Sequence, residues 1–252
     1  MMKKLMLLFI TGLMIVVLAA CGGNEEGKEA KTEDQPKAAE AEQQKQMEEM
    51  EKKLEAQQVD EKETVVVVND KEILGRDYNN VLSSIQMQMQ QMGQDPTAKD
   101  VAKEVKNQTI DSLVGQTLLL QEADKKGFKA SEEEVKKQLE ETKKPFKSEK
   151  EFEEALKKSG IDLKTLEAQI ADGIKFNKYV EKEIPAGEIS EEEINKAYDQ
   201  YAEQGKKAEQ EVPKLEEVKP DIEKSLQQQK QQEKLAQHVE ELKEKGKIDI
   251  KI

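Results

Sequence analysis

Thr64-Val65-Val66-Val67-Val68-Asn69-Asp70-Lys71-Glu72-Ile73-Leu74 decides how this chain is read, because here a long charged sequence first turns apolar, and does so in β-branched residues. Four consecutive valines favour a strand, Asn69-Asp70 supplies turn residues, and Ile73-Leu74 resumes the apolar pattern. Far downstream, Ile248-Asp249-Ile250-Lys251-Ile252 alternates apolar and polar side chains as a half-buried strand does. Isolated short strands are marginal in water. The two segments are therefore expected to pair with each other and to bring the two ends of one domain together.

Between these strands the apolar period is helical. Leu82, Ile85, Met89 and Met92 recur at intervals of three and four, which predicts a helix over 77–92 with these residues on its core stripe. Asp95-Pro96 breaks it and opens a second helix, running through Val101, Val105, Ile110, Leu113, Val114 and Leu118 to stop at Gly127. Three capping boxes follow, Ser131-x-x-Glu134, Ser148-x-x-Glu151 and Ser190-x-x-Glu193, each putting a hydroxyl on a free helix N–H just before an apolar residue. Asp162 opens another helix that Ile184-Pro185 closes, and a last long helix carries Val218, Ile222, Leu226, Leu235, Val239 and Leu242. No repeat of solenoid length is visible. The fold class is mainly α: a multi-helix module over residues 64–252, with a small β-sheet pairing its N- and C-terminal strands.

Upstream of Thr64 the chain reads as an exported leader and a tether. Lys3 and Lys4 precede an apolar run from Leu5 to Leu18, too short for a bare membrane span, which closes in Leu18-Ala19-Ala20-Cys21. Those four residues resemble a bacterial lipobox. They imply cleavage of residues 1–20 and lipid attachment at Cys21, the single cysteine, which leaves no thiol for a disulfide or a cysteine metal site. Residues 22–63 are Glu, Gln, Lys and Ala with little apolar surface to offset ordering entropy, so residues 21–63 are expected to form a disordered charged tether. Met47, Met50 and Leu54 at helical spacing add at most a frayed turn.

Charge and chemistry exclude several functions. The formal charge of −13 becomes −15 once Lys3 and Lys4 leave with the leader, so nucleic acid and anionic lipid surfaces are repelled. His238 is the only histidine, set on a charged helix where a solvated side chain is the expected role, and no metal site is expected. Glutamates abound, but in Glu-Lys helix faces. No nucleophile elbow, phosphate loop or dinucleotide fingerprint is present, so no catalytic residue and no cofactor are assigned.

The sequence resembles the SurA and PrsA chaperones from about Thr64 to Ile252. The likeness begins at Val68-Asn69-Asp70-Lys71-Glu72-Ile73 with Tyr78, where that family usually has Gly at the position of Asp70. It continues through Ile110-Asp111-Ser112-Leu113-Val114, Leu118-Leu119-Leu120-Gln121-Glu122-Ala123, Gly127 to Val135, Ile189 to Ile194, and the closing helix and strand after Val218-Lys219-Pro220. In these families a parvulin prolyl isomerase domain separates the helix at Tyr198 from the closing helix. Here only Ala202 to Val212 fills that interval, and the paired histidines of a parvulin site are missing.

The resemblance implies a chaperone at the outer face of the cytoplasmic membrane of a Gram-positive bacterium, lipid-anchored, binding unfolded or newly secreted chains without isomerase catalysis. The alternatives are an interaction lipoprotein with one defined partner and, further off, a prolyl isomerase. Unfolded clients share no sequence, so a binder must offer adaptable apolar surface, and methionine suits that task. The candidate client-binding residues are Met87, Met89, Met92, Phe146 and Phe152, lining a groove between the first helix and the segment from Phe146 to Phe152. Met87 leads them because it lies off the core stripe.

Overall fold

The computed structural model describes Lys45 and residues 47–208 and 210–252. Cys21 and the lipobox residues Leu18, Ala19 and Ala20 lie outside the described residues. Glu48–Ile252 forms one compact unit. Its elements are β1 (Thr64–Val68), β2 (Lys71–Leu74), α1 (Gly75–Gln91), α2 (Lys99–Lys125), α3 (Glu132–Lys143), α4 (Glu149–Lys158), α5 (Leu163–Glu183), α6 (Glu191–Lys207), α7 (Leu215–Lys245) and β3 (Ile248–Ile250).

The expected sheet forms. Three antiparallel strands lie in the order β2-β1-β3, with Val66 opposite Ile250, Val67 opposite Asp249 and Val68 opposite Ile248. Asn69 makes the β1–β2 turn in the left-handed region (φ 56°), which Asn enters at little cost. Its side chain does more than turn the chain. Its Oδ1 accepts from the Lys247 backbone N–H at 3.0 Å, its amide donates to Gln121 Oε1 at 2.5 Å, and Gln121 Nε2 donates to the Val68 carbonyl at 3.1 Å. One polar cluster thus ties the hairpin, helix α2 and the entry to β3.

Helix α2 is the spine, packing against α1, β1, α5 and α7. One core lies between the sheet, α1 and α2, where Val65, Val66, Val68, Leu82 and Val105 are fully buried. A second gathers Leu119, Ala123, Tyr179, Val180 and Ile184 where α2 meets α5. Helix α7 contributes no fully buried residue; Leu235, Val239 and Leu242 form a half-buried stripe on these cores.

The helix starts follow the sequence with two exceptions. Ser131 and Ser190 make complete capping boxes, and in each the capping glutamate also takes a lysine from another helix: Glu134 from Lys178 of α5 at 2.6 Å, Glu193 from Lys230 of α7 at 2.7 Å. Ser148 caps α4, but Glu151 accepts from the Lys147 backbone N–H, so the box is not reciprocal. Pro96 does not open α2. Asp95 and Thr97 close a turn in which Asp95 Oδ1 accepts from the Thr97 N–H at 2.8 Å, and α2 starts at Lys99.

The ordered region also starts earlier than composition suggests. Residues 48–55 are helical, and Glu48 to Glu63 belong to the compact unit rather than to a tether. Backbone hydrogen bonds explain what apolar content could not. Asn79 on α1 receives the Val59 N–H at 3.0 Å and donates to the Val59 carbonyl at 2.9 Å, while Gly75 and Arg76 donate to the Glu63 and Glu61 carbonyls at 2.7 and 3.0 Å. Side-chain count underestimates a segment held by its own peptide groups.

Candidate functional site

The residues singled out in the sequence do not meet in one groove. Met87 (60% exposed) is open to solvent, as expected, but Met92 (61% exposed) is open too, because α1 ends at Gln91 and the chain turns away from the core. Met89 packs half-buried against the first core. Phe152 is buried and meets Phe146 edge to face at 5.4 Å, with the Lys143 ammonium 5.4 Å from the Phe152 ring. Phe152 is thus a packing residue with little surface to offer a client. Helix α1 packs mainly on α2 and the sheet, with no comparable packing on α4.

An apolar cleft of about 790 Å³ lies elsewhere, between α2, α5 and α7. Helix α2 presents Asp111, Gly115 and Leu119, one turn apart on one face, with Ser112 and Gln116 beside them. Helix α5 adds Phe176, and α7 adds Leu235, Ala236, Val239 and Glu240, with Gln232 and Gln237. Gly115 permits the close approach of the two long helices: a Cβ there would sit 3.1 Å from Val239 Cγ1. A glycine inside a 27-residue helix sacrifices about 1 kcal/mol of helix propensity, and that mid-helix glycine was the available signal in the sequence.

The cleft combines aliphatic and aromatic side chains with amides able to pair with peptide groups. Lys243 stands by its acidic residues, with Nζ 3.3 Å from Asp111 Oδ1 and 3.0 Å from Glu240 Oε1. Partial burial pushes the Lys243 ammonium down, but its hydrogen bonds to Glu240 and Asp111 outweigh this and hold its pKa above the usual lysine range. One ammonium faces two carboxylates, which leaves this end of the cleft with a net negative charge.

Beside it, Tyr179 and His238 join α5 to α7. The Tyr179 hydroxyl lies 2.6 Å from His238 Nε2, and its fully buried ring meets Phe128 edge to face at 5.6 Å. Burial, with help from Glu122 and Glu183, pushes the phenol up to about 12, so it stays protonated and available as a hydrogen-bond donor. His238 is therefore a partner in a helix–helix hydrogen bond rather than the solvated residue expected. Among the described residues no cluster of three or more His, Cys, Asp or Glu is arranged to hold a metal ion, and no helix is long and apolar enough to cross a membrane.

The family of SurA-like N-terminal domains matches residues 1–180. Two foldase proteins PrsA from Clostridium botulinum, of strains Loch Maree (type A3) and 657 (type Ba4), are each 26% identical over 129 residues, covering 49% of this chain and 38% of their own length. The chain thus aligns with well under half of the curated relatives it matches. A solved chain described as a SurA-like chaperone of Campylobacter jejuni is 11% identical with a TM-score of 0.48, covering 75% of this chain and 98% of that one.

Proposed function

Because the chain belongs to the family of SurA-like N-terminal domains, we propose that it is an extracytoplasmic chaperone that holds unfolded or newly exported polypeptides in the cleft between α2, α5 and α7. The cleft is the observation that carries the reading. Half-buried Phe176, Leu235 and Val239 offer apolar surface without a shape selective for one ligand, and the surrounding glutamines can satisfy client peptide groups. The proposed role is holding rather than catalysis: His238 is engaged by Tyr179, and the segment from Ala202 to Val212 is too short for a parvulin domain. Lipid on Cys21 would keep the compact unit at the outer face of the membrane, on a charged tether that ends before Glu48.

The test uses several unrelated chemically unfolded proteins and measures suppression of their aggregation on dilution. Phe176→Ser with Leu235→Ser should weaken suppression of every client several-fold, while Met87→Ser should leave it nearly unchanged. Melting temperature is measured on each variant, so that lost surface is distinguished from lost fold. Suppression that falls only with stability, or that is confined to one protein, would replace a general chaperone with a single-partner adaptor.

A further inference from the structure

The outer edge of β3 has a backbone and charge pattern that selects one partner. The Lys251 N–H donates to the Val65 carbonyl at 2.8 Å and the Asn69 N–H to the Lys247 carbonyl at 2.7 Å. Residues 247, 249 and 251 therefore turn their peptide groups toward β1, and residues 248, 250 and 252 turn theirs the other way. Among the described residues no strand lies beyond β3. The side chains repeat the asymmetry. Ile248, Ile250 and Ile252 share one sheet face, and Ile248 and Ile252 pack on the first core, yet Ile250 between them is 53% exposed. An uncovered edge with an uncovered isoleucine is a template for another strand.

We infer that this edge pairs with β3 of a second copy, antiparallel across a twofold axis through the Ile250 pair, to make a continuous six-stranded sheet. Only outward-turned residues can form the hydrogen-bonded pairs, so the register moves in steps of two, and charge separates the steps. With Ile250 opposite Ile250, Asp249 faces the second copy's Lys251 and Lys251 faces its Asp249, while Ile248 faces Ile252. A shift one way sets Asp249 against Asp249 and Lys247 against Lys251. The opposite shift sets Lys251 against Lys251. Directly opposed like charges disfavour both of these neighbouring registers. A ladder this short buries less than the roughly 1,200 Å² of a stable interface, so the dimer is weak and concentration-dependent.

The chain from residue 22 on has no cysteine and contains the whole compact unit, which makes it the test protein. In a hydrogen-bonded antiparallel pair the Cα atoms stand about 5.5 Å apart, within the roughly 4.4–6.8 Å that a disulfide spans. Ile250→Cys should therefore oxidise to a covalent dimer at least ten-fold faster than Met87→Cys, a comparably exposed control. Asp249→Lys and Lys251→Asp should each weaken self-association in sedimentation equilibrium by on the order of ten-fold, since each puts like charges in both cross-strand pairs. Mixed together, the two variants should form a heterodimer, because each then opposes the other's reversed charge; the contact between Asp249 and Lys251 within one chain cannot produce that rescue. Circular dichroism confirms that each variant is folded. Equal oxidation rates at positions 250 and 87, or a mixture that fails to associate, overturns the inference. So does protection of the position-250 thiol by an unfolded client but not by more of the same chain.

Discussion

Gly75→Ala should destabilise this protein, although alanine ordinarily stabilises a helix by up to about 1 kcal/mol over glycine. Gly75 is the first residue of α1, and a Cβ built there would lie 1.9 Å from the Asp60 carbonyl oxygen and 2.9 Å from Val59 Cγ2. The requirement is for space. Cβ atoms essentially never approach a neighbour within 3.0 Å, so the chain at Asp60 must retreat by roughly 1 Å. Four hydrogen bonds depend on that segment: Gly75 to Glu63, Arg76 to Glu61, and the reciprocal pair between Asn79 and Val59. At about 0.5–1.5 kcal/mol net for each, with three of the four lost and about 1 kcal/mol of alanine gain subtracted, the substitution should cost about 0.5–3.5 kcal/mol. For a unit of this size that is about 1–14 °C in Tm. Urea and thermal unfolding measure the loss, and limited trypsinolysis should show faster cleavage at Lys52, Lys53 and Lys62. A Gly75→Ala protein as stable as the parent, with unchanged cleavage, would refute the docking of residues 59–63 on α1.

Acid should loosen the helix pairs that the capping glutamates join. Hydrogen bonds from Lys178 to Glu134 and from Lys230 to Glu193, followed by those from Ser131 and Ser190, hold both carboxyls at about 2 against an ordinary 4.5. Their contribution is present above about pH 4.5 and is lost as pH falls toward 2; Glu134→Gln with Glu193→Gln should flatten that part of the stability profile in urea melts, and an unchanged slope would count against it. Asn69→Gly keeps the left-handed turn but removes the side-chain bonds to Lys247 and Gln121, so it should cost about 1–3 kcal/mol, whereas Asn69→Ala should cost more because φ is positive; equal stability of the two would show that backbone strain is immaterial there. Cys21→Ser should release the protein from membranes on fractionation, and full retention of that variant would remove the lipid anchor from the proposal.

Local signals were legible before any coordinates. The valine run and the alternating terminus paired as expected, because a half-buried strand must find both a ladder and an apolar face. Ser131, Ser190 and Asp162 marked helix starts because a cap depends only on residues within one turn. Kinship, too, was readable at Val68-Asn69-Asp70 and the long second helix, and the match over residues 1–180 agrees with it. What could not be read were properties of facing surfaces. Exposure of Met92, burial of Phe152 and the docking of residues 48–63 depend on which elements stop short and which peptide groups find partners far along the chain. The same holds for the cleft: Leu235, Val239 and Phe176 read as ordinary stripe residues. Only the close approach at Gly115, with α7 left half-buried over α2 and α5, turns them into an open apolar surface. A helical period specifies which side chains share a face, but packing determines whether that face is covered.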